Sequence, residues 1–234
     1  MRFQKDLCKL INSFPSKYII LIKGSPATEK EFIAYKIMCD NLSKDYIFYY
    51  LYHGRTNTEV EQEFKNYGIN VTNLIKNKKI FWMDASHISK GSNVINCDIA
   101  NLFTLSLAMR KFLLKNKDKK IFGIIDILSP AIMMNDNVVI FRFVEDIITA
   151  LKRQNTKTIM LLEEGAHPKE IVIAIEHFCD CVIEISLMEK NFKIHKILKF
   201  EKLKGMLMQD KYFKLNITKE AIRIENLLKE TNKI

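Results

Sequence analysis

Six short apolar runs rich in β-branched and aromatic residues alternate with segments of helical periodicity between residues 18 and 186. This alternation is typical of parallel strands joined by crossover helices, so it predicts an α/β fold with a doubly wound, mostly parallel sheet flanked by helices. The predicted strands are Tyr18–Lys23, Tyr46–Tyr52, Ile80–Met83, Ile121–Asp126, Thr158–Leu162 and Cys181–Ser186. The predicted helices lie near residues 28–42, 56–67, 97–116, 136–154 and 168–178.

The pattern changes after Ser186, where strand-like segments follow one another with only short turns between them. This predicts a C-terminal antiparallel β extension on one edge of the sheet. No stretch rich in Gly, Pro or Ser separates the two parts, so we expect a single domain over 1–234, with a core at about 15–187 and an extension at about 188–234. The predicted strands are Phe192–Phe200, Tyr212–Ile217 and Ala221–Ile224, and the predicted turns are Glu189-Lys190-Asn191 and Thr218-Lys219-Glu220.

The segment between the first strand and the first long helix is similar to the phosphate-binding loop G-x-x-x-x-G-K-[ST]. Gly24 and Lys30 match that pattern, but Glu29 replaces the second glycine and Glu31 replaces the hydroxyl residue that holds Mg²⁺. The residues between the matching positions are Ser25, Pro26, Ala27 and Thr28. The segment therefore predicts a relict nucleotide site that its own acidic residues partly block. The alternative is a plain strand–turn–helix, since acidic residues are favourable in the first turn of any helix.

The two acidic replacements act against nucleotide binding in different ways. A carboxylate at Glu29 that lies about 4 Å from a phosphate would cost roughly 4 kcal/mol per charge pair at an effective dielectric near ~20. A carboxylate at Glu31 is longer than Ser or Thr and charged, so we expect poor placement of Mg²⁺. If no phosphate binds, Lys30 needs another partner, and we expect an internal salt bridge to Glu29, Glu31 or Asp126.

Six segments in a fixed order carry a family resemblance over nearly the whole chain. They are the strand and loop at 18–31, Asn66-Tyr67-Gly68-Ile69-Asn70, Phe81-Trp82-Met83-Asp84-Ala85-Ser86, Phe122-Gly123-Ile124-Ile125-Asp126-Ile127-Leu128-Ser129-Pro130, Lys202-Leu203-Lys204-Gly205, and Phe213 to Ile224. Their order and spacing resemble the KaiC-like branch of the RecA/RadA superfamily of P-loop ATPases. The sequence departs from that family where Ala221 replaces a usual glycine and Lys204 replaces an arginine.

The resemblance implies a RecA-like fold and assigns roles to single residues. Asp126 falls on the Walker B aspartate, which positions Mg²⁺ through water. Gly54 and Arg55 stand where active members carry two glutamates, the first of which polarises the attacking water. Lys202 and Lys204 fall where active hexamers reach a neighbour's phosphate.

These departures predict a degenerate family member with no catalytic residues, in which ATP and Mg²⁺ bind weakly if at all. We expect a non-hydrolysing regulatory or scaffold protein that forms oligomers with itself or with an active RecA/KaiC-like protein. The resemblance also implies an archaeal-type cytoplasmic setting. A third hypothesis is an unconventional ATPase that uses Glu59, or Glu163 and Glu164, as its base.

The charge distribution supports a second hypothesis. The net charge is +10, and the segment from Lys190 onward holds twelve Lys or Arg and five Asp or Glu, which gives +7 there. A basic edge suggests an anionic partner, so the chain could be a recombinase-paralogue-like protein that binds nucleic acid through its C-terminal region, with or without ATP. The alternative is a solvated lysine-rich surface.

Other features predict neither a metal site nor a membrane partner. The five cysteines lack paired zinc spacing, and the five histidines are scattered along the chain. No apolar run reaches the length of a membrane span, and the first residues lack the apolar core of a signal peptide. Asp84 and Asp126 end predicted strands at one edge of the sheet, which would suit a metal or a water-filled relict pocket.

Overall fold

The computed structural model describes residues 4–41, 45–206 and 212–227. Within these ranges the chain forms one eleven-stranded sheet with helices on both faces. The strands are β1 Gln4–Asp6, β2 Tyr18–Gly24, β3 Tyr46–Tyr52, β4 Ile80–Asp84, β5 Val94–Asn96, β6 Lys120–Asp126, β7 Thr156–Glu163, β8 Cys181–Lys190, β9 Lys193–Leu203, β10 Tyr212–Ile217 and β11 Ile222–Asn226. The helices are α1 Leu7–Asn12, α2 Lys30–Cys39, α3 Asn57–Asn66, α4 Thr72–Lys76, α5 Leu102–Lys115, α6 Leu128–Met134, α7 Asn137–Arg153 and α8 Lys169–Phe178.

The parallel part of the sheet has the strand order β8-β2-β7-β6-β3-β4-β5, which confirms the predicted doubly wound arrangement. All seven residues of β2 are buried between its neighbours β7 and β8. A strand covered by helices on both faces needs apolar side chains in both directions, which explains the nearly continuous apolar run at 18–22. The carboxyl ends of these strands meet along one edge, where α/β proteins place their ligand sites.

Two apolar layers hold the helices on the sheet. On one face, α1 to α4 enclose a cluster of ring contacts formed by Tyr35, Tyr50, Phe64 and Trp82. On the other face, α5 to α8 pack through apolar stripes at helical spacing, of which α7 gives the clearest example. The buried residues of α7 are Ile140, Phe143, Val144, Ile147, Ile148, Ala150 and Leu151. In the described part of the chain, no helix combines the length and apolarity needed to cross a lipid bilayer.

The antiparallel extension is also confirmed, with strand order β8-β9-β10-β11-β1. The turn between β8 and β9 differs from the prediction, because Lys190 pairs with Lys193 and the turn residues are Asn191 and Phe192. Phe192 therefore does not begin a strand. Two predicted features reach outside the described residues, namely the first long helix, at residue 42, and the extension, at 207–211 and 228–234.

Several short elements were not predicted. β1 and α1 precede the first predicted strand, and α4, β5 and α6 lie between predicted elements. α1 has only six residues, but it buries Leu7, Cys8 and Ile11 against the sheet, so packing rather than periodicity stabilises it. The helix predicted at 97–116 begins later, because the side chain of Asn101 caps it by accepting a hydrogen bond from the Thr104 amide.

Gly123 in β6 provides a test of the packing between β3 and β6. A Cβ atom added at Gly123 would lie 1.9 Å from the ring of Tyr49, whose hydroxyl is held 2.9 Å from Thr158 Oγ1. We expect Gly123→Ala to lower the free energy of unfolding by about 2–4 kcal/mol, because the buried ring has no free space to move into. Chemical denaturation measures this change.

The matched control is the double variant that combines Gly123→Ala with Tyr49→Leu. Because the smaller side chain removes the clash, the double variant should lose clearly less stability than the sum of the two single variants. Additive losses would contradict this packing.

Candidate functional site

The predicted phosphate loop connects β2 to α2 at the carboxyl edge of the sheet. A short 3-10 turn, Pro26–Thr28, follows β2, and α2 begins at Lys30. Between them Glu29 lies in the left-handed region, with φ 59° and ψ 35°. For a residue with a side chain this conformation costs about 1 kcal/mol or more, whereas glycine adopts it without that cost. The loop therefore keeps a backbone geometry that favours glycine at the position where this chain carries an acid.

Gly24 is required by a close approach of neighbouring atoms. A Cβ atom at Gly24 would lie 2.7 Å from Thr28 Oγ1 and 2.8 Å from the carbonyl oxygen of Ile185. Thr28 is fully buried, and its hydroxyl donates to the carbonyl of Ser25 at 2.6 Å, which closes the turn. The matching glycine of the sequence pattern is thus fixed by packing against Thr28 of the loop and against β8.

Lys30 lies in the centre of the site and bonds to two carboxylates. Its Nζ is 2.6 Å from Oε1 of Glu163 and 2.8 Å from Oε1 of Glu31, and its side chain is only 1% exposed. Burial alone would lower the pKa of Lys30, but the hydrogen bonds that it donates to Glu163 and Glu31 raise the pKa, so the lysine stays charged. The expected internal salt bridge is present, with Glu31 as a predicted partner and Glu163 as an unpredicted one.

Glu163 is held in place from the end of β7. Its amide donates to Ser129 Oγ at 2.9 Å, and the same hydroxyl lies 2.9 Å from Nε2 of His167. Burial lowers the pKa of His167, so the neutral ring can accept the Ser129 proton. The second carboxylate oxygen of Glu163, Oε2, is buried and has no hydrogen-bond partner among the described residues. Lys30 is therefore the main partner of this carboxylate.

Glu29 points away from Lys30, contrary to one of the expected pairings. Its carboxylate is 2.5 Å from Nζ of Lys196 on β9. This pair joins the phosphate loop to the antiparallel extension. Both side chains keep some exposure to water, so the pair itself contributes only modestly to stability.

Asp126 forms a second ion-paired group at the end of β6 and does not contact Lys30 as a salt-bridge partner. Arg55 donates from Nη2 to Asp126 Oδ2 at 2.8 Å and from Nη1 to Glu63 Oε2 at 2.6 Å. The hydroxyl of Tyr50 donates to the same Asp126 oxygen at 2.7 Å. Burial raises the pKa of Asp126 to about 6, although Arg55 and Tyr50 act in the opposite direction. A permanent cation is thus bonded to the carboxylate that matches the Walker B position.

Three other acidic candidates have structural roles. Asp84 is fully buried and accepts hydrogen bonds from the amides of Ser86, Ile88 and Ser89 at 2.7–2.9 Å. Asp84 therefore holds a loop, and the metal or water-filled pocket that Asp84 and Asp126 would suit stays a prediction. Glu59 belongs to the capping box that begins α3. Glu164 pairs with Lys23 at 3.4 Å.

The two lysines of the Lys202-Leu203-Lys204-Gly205 segment differ in their surroundings. Lys202 donates to the carbonyls of Glu176 and His177 at 3.0 and 2.8 Å, so it satisfies the C-terminal end of α8. Lys204 is largely exposed and lies 3.9 Å from Asp180. Their contact with the phosphate of a neighbouring subunit stays a prediction.

A possible metal-ligand group lies outside this site. In the described ranges, the side chains of Asp6, Cys8 and Asp40 are close enough to share a metal ion. Burial raises the pKa of the Cys8 thiol above its ordinary value, and Asp40 and Asp6 raise it further, which disfavours the thiolate that a metal needs. The grouping is therefore a weak candidate.

The comparisons with known proteins agree with this architecture. A family model described as "ATPase: KaiC" matches residues 6–229 of the chain. Among solved structures, the chain is similar to the crystal structure of a KaiC-like protein from the hyperthermophilic archaeon Pyrococcus horikoshii OT3. That similarity has 18% sequence identity and a TM-score of 0.72, and it covers 90% of each chain, so it shows the RecA-like fold alone. No curated protein matches the chain at a significant level.

The raised pKa of Asp126 predicts a pH dependence of stability. The folded protein binds a proton at Asp126 up to about pH 6, whereas the unfolded chain releases it near 3.8. The contribution of this group to the free energy of unfolding should therefore fall, by up to about 3 kcal/mol, as the pH rises between these values. The Asp126→Asn variant has no titrating group at this position. Urea denaturation at several pH values measures the free energy of unfolding of the wild type and of this variant.

The comparison of the two proteins isolates Asp126, because other carboxyl groups titrate in both. The stability of the wild type should fall relative to that of Asp126→Asn as the pH rises from about 3.8 to about 6. Parallel stability curves over this range would contradict the assignment.

Proposed function

Because the chain belongs to the KaiC family of ATPases, we propose that it is a member that does not hydrolyse ATP and that acts as a regulatory or scaffold protein. The observation that carries this proposal is the bonding of Lys30 to Glu31 and Glu163. A phosphate-loop lysine normally neutralises the β- and γ-phosphates of the nucleotide. In this chain two carboxylates already neutralise it.

Nucleotide binding would have to break this arrangement. A triphosphate that contacts Lys30 must displace at least one carboxylate, and the displaced group stays close by on the same helix or strand. Each carboxylate that lies about 4 Å from a phosphate costs roughly 4 kcal/mol at an effective dielectric near ~20. Two such repulsions cost more free energy than one contact with the Lys30 ammonium group provides. We therefore propose that ATP is at most a weak ligand.

The groups that would perform hydrolysis support the same proposal. Arg55, at a position where active members carry a glutamate, cannot accept a proton from water. Glu31 bonds to Lys30, and Asp126 bonds to Arg55, so neither carboxylate is free to hold Mg²⁺. Of the proposed substitute bases, Glu59 caps α3 and Glu163 bonds to Lys30. An unconventional ATPase built on these groups is thus less well supported.

The proposed partners are other copies of the chain or an active member of the family. In the RecA-like fold the phosphate loop lies at the carboxyl edge of the parallel sheet. Lys204, which directly follows the last residue of β9, is largely exposed. These features would let the chain occupy a position in an assembly without turning over nucleotide.

We expect millimolar Mg-ATP to leave the unfolding temperature of the wild type unchanged. A triple variant, Glu29→Gly with Glu31→Thr and Glu163→Gln, restores the glycine and the hydroxyl and removes three negative charges. If it binds ATP at about a hundred times its Kd, its unfolding temperature should rise by roughly 5–10 °C. Thermal unfolding with and without Mg-ATP measures both effects.

The control is the same triple variant with Lys30→Ala added, which should lose the temperature shift because the restored loop then lacks its cation. A shift in the wild type that Lys30→Ala abolishes would overturn the proposal and leave an ATP-dependent role in its place.

The basic extension favours a second candidate function, which is nucleic-acid binding. The register places Lys193, His195 and Lys199 on one face of β9, next to Lys190 on β8 and Tyr212 on β10. This face points away from the apolar layer that contains Leu198 and Phe213. Nζ of Lys199 lies 5.6 Å from the centre of the Tyr212 ring, and a lysine beside an aromatic ring is the kind of surface on which single strands stack.

Ion pairs within the chain weaken this second candidate. Lys196 bonds to Glu29, Lys199 bonds to Glu201, and Lys202 bonds to carbonyls of α8, so these three cations are partly or wholly engaged. Lys196 therefore balances an acidic residue of the core, and Lys199 and Lys202 are held by contacts within the chain. We rank this function below the first for that reason.

Reversal of charge on the hairpin tests the nucleic-acid hypothesis. If this face binds single-stranded DNA, Lys190→Glu with Lys193→Glu should weaken the affinity at low salt by about tenfold or more, because two phosphate contacts are lost. The matched control reverses the exposed pair Lys117 and Lys119, which lies between α5 and β6. Fluorescence anisotropy with a labelled oligonucleotide measures the affinity, and no binding by the wild type at low salt removes this candidate.

A further inference from the structure

A groove of about 660 Å³ lies between α5 and α7, away from the phosphate loop. Leu102 and Phe143 are buried in it, whereas Phe103 is 79% exposed, so the groove has a covered floor and an open apolar wall. The apolar residues that line it are Leu102, Phe103, Leu107, Val139 and Phe143. Small-molecule sites are concave, mostly apolar and about 300–1,000 Å³ in volume. We call this feature the α5–α7 groove.

The charges that line the α5–α7 groove do not cancel. Arg110 and Asp146 form an ion pair across it and neutralise each other. Arg142 is the remaining charged residue of the lining. Among the residues that the structure describes, its guanidinium group forms neither a salt bridge nor a hydrogen bond. The groove therefore has a positive charge that no carboxylate of the described chain balances.

Ser106 provides a second unpartnered polar group in the α5–α7 groove. This residue is 7% exposed, and its hydroxyl forms no hydrogen bond within the described ranges. A helical serine or threonine can donate to a carbonyl of the preceding turn, and Thr104 of the same helix donates to the carbonyl of Asn101 at 2.8 Å. A buried hydroxyl without a partner is unfavourable. Ser106 therefore indicates a ligand that accepts a hydrogen bond in the groove.

Ser106 and Arg142 lie at a similar level of the groove. Both helices connect parallel strands on the same face of the sheet, so α5 and α7 run in the same direction. Ser106 stands about one turn before Arg110 on α5, and Arg142 stands about one turn before Asp146 on α7. A hydroxyl and a guanidinium group thus border the same space, with apolar side chains on the side away from the ion pair.

We propose that the α5–α7 groove binds a small carboxylate with an apolar body. Arg142 and Ser106 donate hydrogen bonds to the carboxylate, which accepts hydrogen bonds and carries the opposite charge to the arginine. The body of the ligand lies against Phe103 and Val139. A fully polar anion such as phosphate would leave this apolar lining without contacts. The site goes beyond the proposed function, because it uses neither Lys30 nor a nucleotide.

A matched pair of fluorescent probes tests the site. Anilinonaphthalene sulfonate joins an apolar body to one anionic group, and phenylnaphthylamine has the same body without the charge. Fluorescence titration gives the Kd of each probe for the wild type and for each variant. A wild type that shows no saturable binding of the sulfonate probe overturns the proposal.

The variants separate the charged contact from the apolar one. Arg142→Gln should weaken the binding of the sulfonate probe about fivefold or more, and Ser106→Ala about threefold, while both leave the binding of phenylnaphthylamine unchanged. Phe103→Ser should weaken the binding of both probes, because it removes part of the apolar wall. Arg153→Gln, at the end of α7 and outside the groove, is the matched control and should bind both probes as the wild type does.

Competition identifies the carboxylate as the recognised group. Octanoate should displace the sulfonate probe at a concentration at least about fivefold lower than octanamide, which has a similar shape but no charge. Equal competition by the two compounds overturns the proposal. So does an equal loss of both probes in Arg142→Gln, because the groove would then be an exposed apolar surface without an anion site.

Thermal unfolding without a probe shows that a loss of binding is not a loss of folding. Arg142 is exposed, and alanine favours a helix at the position of Ser106, so both variants should unfold near the temperature of the wild type. If both fold and both bind the sulfonate probe as tightly as the wild type does, the proposal is wrong. This result would leave the proposed function untouched, because that function is tested by Mg-ATP at Lys30.

Discussion

The charge of Lys30 is the constraint on which the rest of the site depends. This side chain is 1% exposed, and a buried ammonium group is stable only when an opposite charge lies close to it. In a working phosphate loop the nucleotide supplies that charge. Here Glu31 and Glu163 supply it from within the chain, at 2.8 and 2.6 Å from Nζ. Lys30 is therefore ion-paired without a ligand, and a phosphate has to compete with two carboxylates that are already in place.

The same internal balance recurs along the carboxyl edge of the sheet. Arg55 neutralises Asp126 at the end of β6, and Lys196 neutralises Glu29 at the strained position of the loop. Beneath the loop, Lys23 is nearly buried, and Glu176 and Glu201 lie 2.8 Å from its Nζ. These pairs give the antiparallel extension a structural role, because β9 supplies both Lys196 and Glu201. The extension thus pairs with charged residues at this edge of the sheet in addition to extending it.

The sequence predicted the parts of the fold that have a strong local signal. Apolar runs located the central strands, and the Gly24 to Glu31 pattern located the loop. The elements and contacts that the sequence did not predict depend on residues that lie far apart along the chain. β1 is three residues long and is defined by its pairing with β11, and the bond between Lys30 and Glu163 joins residues 133 positions apart. The ion pair of Arg55 was missed for a similar reason, since the sequence position of Arg55 suggested a lost glutamate and did not indicate a new partner for Asp126. The hairpin turn was misplaced because phenylalanine is unusual where Phe192 stands.

If the proposed function holds, carboxylates of the chain occupy the place of the nucleotide phosphates around Lys30. A crystal structure of the wild-type protein grown in millimolar Mg-ATP decides this. We expect Nζ of Lys30 within hydrogen-bond distance of both Glu163 and Glu31, with no phosphate in the loop. An ordered triphosphate bonded to Lys30, with Mg²⁺ beside Asp126 and the two glutamates turned away, would contradict it.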